Sequence, residues 1–305
     1  MEQKGKIWGH AACFVAYAIF GVNIIVCKDL TSSGLISPIT LFCMRSIGAG
    51  SLFWILSAFL KPEKVERRDY PKIFRASIFG FFLTQLTFLM AIPNITPMNC
   101  SILSSMSPIY TMLIAAVAVR EPITLKKAGG VILSFLGIIY LILNSVNNSG
   151  SIIETTPMGV FLIVMNSLCF SLYLGIFKPI ITKYSVVTFM KWIFLFSFLM
   201  SFPMSARELF SLDYSAIPAS NLWELSFLVV CATFVTYFLI PVGQKRIRPT
   251  LVSMYSYVQP IIAICISIAI GMDTLSWRKI VAIITVFSGV LLVTFSRSVA
   301  QKAEK

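Results

Sequence analysis

Charge is scarce in this chain. Asp, Glu, Lys and Arg make up 12% of its 305 residues, against about a quarter in a soluble globular protein. With 57% hydrophobic residues and a mean hydropathy of +0.87, it could not cover a water-facing surface with polar groups. The missing solvent is lipid. Long polar stretches are missing too: the longest breaks are Lys61–Lys72, Asn144–Thr156 and Arg207–Asn221. None holds a soluble domain, which disfavours a scaffold or receptor. The seven cysteines form no CxxC pair and read as packing residues rather than disulfides or metal ligands. One histidine, and no acid deep within an apolar run, leaves little for a membrane enzyme acting on lipid-linked substrates, which needs clustered acids and bases. No GxxxxGK[ST] segment occurs, so coupling to a gradient, exchange or facilitated flow is expected, and no cofactor.

What is there is apolar and repeated. Runs long enough to cross a ~30 Å hydrocarbon core recur ten times. They fall near 7–27, 38–60, 74–92, 96–118, 127–144, 157–178, 186–205, 222–242, 249–270 and 279–296. The first resembles a signal peptide, but it lacks a clear cleavage site and belongs to the repeating pattern, so it reads as a span. The expected fold is an all-α integral membrane protein of about ten transmembrane helices. With the N-terminus placed in the cytoplasm, nineteen of the 25 Lys and Arg fall inside and four (Lys28, Arg207, Arg278, Lys279) outside. Arg45 and Lys191 fall within spans. The net charge of +13 is therefore a topology signal, not a nucleic-acid footprint, and both termini are expected in the cytoplasm of a cell membrane.

An offset of 152 residues superposes the chain on itself. It pairs Thr84 with Thr236, Pro97 with Pro249, Ser101 with Ser253, Ser104 with Ser256, Pro108 with Pro260, Lys127 with Lys279 and Gly137 with Gly289. It also sets Glu121 opposite Asp273. Spans 1 and 6 align nearer an offset of 150, through Lys28 and Lys178. Two halves, 1–148 and 149–305, each have five spans. An odd number inverts the second half relative to the first, and inverted repeats are the architecture of alternating access. This predicts a transporter and is silent about its cargo.

Ser107–Tyr110, the stretch Val119–Thr124 and Lys127–Gly130, with counterparts at Gln259–Ile262 and Gly271–Ser276, resemble the fourth and fifth spans of EamA-type carriers. These belong to the drug/metabolite transporter superfamily. Arg45 also matches a position where that family commonly carries Arg, and Asp273 stands where Glu is usual. The resemblance implies ten helices with both termini cytoplasmic and a central cavity lined by spans 1–4 and 6–9. It also implies export or exchange of amino acids, metabolites, nucleotide sugars or drugs.

Charges inside a membrane are costly and so are candidates for function. Arg45 and Lys191 lie six or seven residues into spans 2 and 7, from opposite sides. They could face one cavity and anchor a carboxylate or phosphate. The bland alternative is that Arg45 bonds carbonyls for packing and Lys191 snorkels. A cation pair would suit a nucleotide-sugar or phosphorylated-metabolite antiporter; amino acids remain the leading cargo class. Asn23, Gln85, Tyr173, Trp192, Tyr237, Tyr255 and Gln259 are further substrate-binding candidates, with Gln85 and Tyr237 equivalent at the 152 offset. Each alone is more often a packing residue than a ligand. Glu121 and Asp273, at span ends, read as helix caps or as a pair of gates. Span 1 has no Glu, which disfavours a proton-for-cation drug exchanger. Small-residue faces such as Gly48 and Gly50 suit packing within the chain and are compatible with a homodimer. The expected partners are thus a small-molecule substrate and the lipid bilayer.

Overall fold

The computed structural model describes residues 2–119, 124–146, 155–212, 217–247 and 249–295. Their regular structure is helical, with no strand among the described residues. In order the helices are α1 (Glu2–Ser32), α2 (Pro38–Ala58), α3 (Tyr70–Ser77), α4 (Leu83–Ala91), α5 (Pro97–Ser104), α6 (Ser107–Val119) and α7 (Leu125–Val146). The second half follows with α8 (Pro157–Ile176), α9 (Lys178–Lys183), α10 (Val186–Ser211), α11 (Ala219–Val229), α12 (Thr236–Arg246), α13 (Pro249–Met254), α14 (Val258–Ala269) and α15 (Trp277–Phe295).

Local chemistry sets the starts. Ser37, Thr96, Thr156 and Ser185 each accept a backbone N–H from three residues on. In the first three, proline follows the cap. The side-chain oxygen satisfies an N–H that lacks a helical partner, and proline has no N–H to satisfy.

Among the described residues seven helices are long and apolar enough to cross a membrane: Ile7–Ser32, Pro38–Ala58, Arg67–Asn94, Pro157–Ile176, Val186–Ser211, Ala219–Arg246 and Leu251–Ala269. The other three expected runs fall on α5 with α6, on α7 and on α15. α5 gives way to α6 across Ser105 and Met106, a break the apolar run does not announce.

The repeat reaches into backbone irregularities. A π-helical turn joins α3 to α4 at Ile78–Phe82, and another joins α11 to α12 at Val230–Val235. Their first residues are 152 apart. The break at Ser105 likewise has a counterpart in the 3-10 turn Tyr255–Tyr257 between α13 and α14. Helix pairings reciprocate as well. α1 packs on α12 and α14, as its counterpart α8 packs on α4 and α6. α2 lies against α10 and α7 against α15. At the α7–α15 crossing a Cβ on Gly289 would meet the Gly130 carbonyl oxygen at 2.6 Å, and one on Gly137 the Val286 nitrogen at 2.9 Å. Only glycine admits so close an approach, which is how helices gain contact in lipid. The halves interleave, so the middle of the bundle is built from both.

Candidate functional site

The central cavity takes one to three side chains from each of several helices. On α1, Tyr17, Phe20 and Asn23 recur at a spacing of three and so share a face. Thr84, Gln85 and Phe88 enter from α4, and Ser104 and Ser107 from either side of the α5–α6 break. The second half supplies Asn166, Ser167 and Phe170 from α8, Tyr237 from α12 and Gln259 from α14. The cavity has an empty volume of about 490 Å³.

Its polar groups are only partly bonded to one another. Gln85 Nε2 donates to the Tyr237 hydroxyl at 2.9 Å, across the two halves and between positions 152 apart. Asn166 Nδ2 donates to the Thr84 carbonyl at 2.6 Å, and Ser171 Oγ to that of Ser107 at 3.1 Å. Both are again cross-half bonds. Tyr17 OH, Gln85 Oε1 and Ser167 Oγ are buried and have no hydrogen-bond partner. An unbonded buried polar atom costs about 1–3 kcal/mol, and these three line one space. Phe20, Phe81 and Phe194 surround the Tyr237 ring at centroid distances of 6.2, 4.9 and 5.7 Å. Among the described residues the lining holds amides, hydroxyls and aromatic rings, and no charged side chain. Such a wall can exchange hydrogen bonds with a polar solute and stack on its apolar part. It offers no fixed charge to clamp an anion.

Of the expected contacts, Asn23, Gln85, Tyr237 and Gln259 meet here. The others do not. Neither Arg45 nor Lys191 lines this cavity. Arg45 is fully buried. Its Nε donates to Thr233 Oγ1 at 2.9 Å, with the Ala232 carbonyl and Cys27 Sγ each at 3.5 Å. It thus ties α1 and α2 to the second π-helical turn. Lys191 donates to Ser57 Oγ at 2.8 Å and lies 4.8 Å from the Trp54 ring, along the α2–α10 seam. The aromatic face of Trp192 meets Trp54 and Tyr70. Tyr173 is buried over Gly80, and Tyr255 OH lies 2.7 Å from His10 Nδ1. Asp273 is buried; it accepts the Met98 N–H at 2.9 Å and a bond from Lys279 at 3.1 Å. Glu121 lies outside the described residues. Tyr17, Phe20, Ser167 and Phe170 were missed, yet the 150 offset of spans 1 and 6 pairs Tyr17 with Ser167 and Phe20 with Phe170.

A model of the EamA-like transporter family matches residues 7–143 and again 157–295. The chain belongs to the EamA-like transporter family. Two family repeats and several apolar helices of membrane-crossing length make it a multi-pass membrane protein. Among relatives of this EamA-like protein, an uncharacterized transporter of Archaeoglobus fulgidus is 26% identical over 50% of this chain and 52% of its own. One from Methanothermobacter thermautotrophicus is 24% identical over 45% and 43%; the matches span about half the length of these archaeal proteins. The uncharacterized transporter YetK of Bacillus subtilis matches 96% of the chain and 89% of its own length at 23% identity. A solved crystal structure superposes at a TM-score of 0.65 and 15% identity, over 97% of this chain and 99% of the other, a likeness of fold.

Proposed function

We propose that this EamA-like protein is a secondary carrier that exports or exchanges a small metabolite by alternating access. On this reading ten spans form two inverted five-helix repeats, 1–148 and 149–305, in the cell membrane with both termini cytoplasmic. The observation that carries it is the cross-half bond between Gln85 and Tyr237 in a cavity lined by both repeats. Equivalent positions that meet can exchange roles when the halves rock. Asn23, Gln85, Tyr237 and Gln259 are the proposed substrate contacts, joined by Tyr17 and Ser167. Arg45 and Lys191 act as brackets between helices.

The uncharged lining favours a solute without net charge, so amino acids in their zwitterionic form remain the leading class. A nucleotide-sugar or phosphorylated-metabolite antiporter would need cavity cations, and no observation favours it. An enzymatic role would need acids and bases around the cavity, where amides and rings stand instead. Asp273 is the proposed gate at one end, through its bond to the Met98 amide of the other half; Glu121 would be its counterpart.

Reconstitution into liposomes tests this with labelled amino acids, sugar phosphates, nucleotide sugars and cationic drugs, with and without a pH gradient. Net-neutral amino acids should move, and Gln85→Leu should slow them about tenfold, about 1.4 kcal/mol of barrier. Preferential movement of a phosphorylated solute, indifferent to Gln85→Leu, would sink the reading.

A further inference from the structure

A second cavity, with an empty volume of about 860 Å³, opens between α3 and the α8–α9 junction, away from the first. Arg68, Lys72, Arg75 and Lys183 line it. Two carboxylates face these four cations. Asp69 binds Lys72 at 2.8 Å and Lys183 at 2.5 Å; Glu66 binds Lys183 and Arg68, both at 2.6 Å. Positive charge is left over. Among the described residues Arg75 has no ion pair; its Nε donates to the Pro71 carbonyl at 3.4 Å. The side chains of Arg68 and Lys72 are 77% and 52% exposed, so their charges are accessible.

The rest of the wall is apolar: Ile176, Phe177, Pro179 and Ile180. Ile176 is 51% exposed, and Phe74, one residue before Arg75, 40% exposed. Cations thus sit at the end of the membrane-crossing segments Arg67–Asn94 and Pro157–Ile176, with bare hydrocarbon beside them. A soluble anion would use only the cations. An amphiphile with an anionic head uses both surfaces, and basic pockets between membrane helices bind such heads.

We propose that this groove holds one anionic phospholipid, its phosphate on Arg68 and Arg75 and its acyl chains along Ile176 and Phe177. The site is independent of the transport cavity and of the cargo assigned to it.

Native mass spectrometry of the full chain, titrated with phosphatidylglycerol and phosphatidylcholine, tests it. Phosphatidylglycerol should bind at least about tenfold tighter. Arg68→Gln with Arg75→Gln should weaken it about 25-fold, about fivefold for each surface charge. Arg68→Lys with Arg75→Lys should retain most of the binding. Lys61→Gln with Lys64→Gln, which removes two charges outside the groove, should change it less than about twofold. Melting temperature checks the fold of each variant, and Arg75→Gln alone, expected to lose about fivefold, carries the test if the double variant unfolds. Equal binding of the two lipids overturns the proposal, as does an equal loss with Lys61→Gln and Lys64→Gln. Displacement of phosphatidylglycerol by millimolar glycerol phosphate overturns it in favour of a soluble anion.

Discussion

Gln85 and Tyr237 occupy the same position in their respective repeats and bond to each other at 2.9 Å. Removing either leaves the other buried and unpaired, since both are at most 5% exposed. Gln85→Leu and Tyr237→Phe should therefore each lower the melting temperature, and the double variant should lose less than the two together. The coupling expected for a hydrogen bond between membrane helices is about 0.6–1.7 kcal/mol. A double-mutant cycle of thermal unfolding in detergent measures it, and strict additivity would mean the bond does not form. The pairing was legible in sequence because an ungapped offset needs no structure. Which way Arg45 and Lys191 point was not. Their depth follows from counting along a span, but α2 and α10 are apolar around most of their circumference, so no polar stripe marks an inner face. Both charges turned to neighbouring helices and neutral partners instead of the cavity.

Ser-Pro and Thr-Pro pairs mark helix starts, and the apolar runs located the seven long helices found among the described residues to within about seven residues. The two π-helical turns could not be read. A π turn widens the ring by one residue and carries no composition of its own, and it appears only when tertiary packing compels it. Gly80 shows what packs against the first. A Cβ there would lie 2.3 Å from Tyr173 Cδ2, so the ring of α8 occupies the space a side chain would take. The turn and the ring are one packing unit shared between halves. Gly80→Ala should destabilise by about 1–3 kcal/mol through overpacking. Tyr173→Ala, destabilising by itself, should make Gly80→Ala nearly neutral in its background, because the clashing atoms are gone. Melting curves of the four proteins decide; an undiminished cost of Gly80→Ala without the ring would place the constraint elsewhere.

Across the whole molecule the halves are joined at both ends of the bundle. One end carries Asp273 with the Met98 amide and Thr156 N–H with the Asn94 carbonyl, at 2.9 and 3.0 Å. The other carries Asp69, which accepts from Lys183 at 2.5 Å and from Tyr184 OH at 2.8 Å. Alternating access requires one set to break while the other holds. The Asp69 clasp is robust to pH near neutrality. Bonds from Asp69 and then Glu66 raise the Lys183 pKa above its ordinary value, and bonds from Lys183 and then Arg68 lower that of Glu66. The lysine's contribution is present in full below the ordinary lysine pKa and lost as pH rises through the raised value. The carboxylate's is present above the ordinary carboxylate pKa and lost as pH falls through the lowered one. Between those limits only mutation loosens the clasp. Lys183→Gln should raise the rate at which a thiol reagent reaches a cysteine introduced at Ser107 from that side, by several-fold, with no gain from the opposite side. The same labelling orients the molecule. Single cysteines at Lys64 and at Asn148 should react from opposite faces of an intact membrane, because on the proposed ten-span topology three spans, an odd number, lie between these two breaks. Reaction of both from one face would remove the proposed inversion, and with it the proposed exchange of roles between Gln85 and Tyr237.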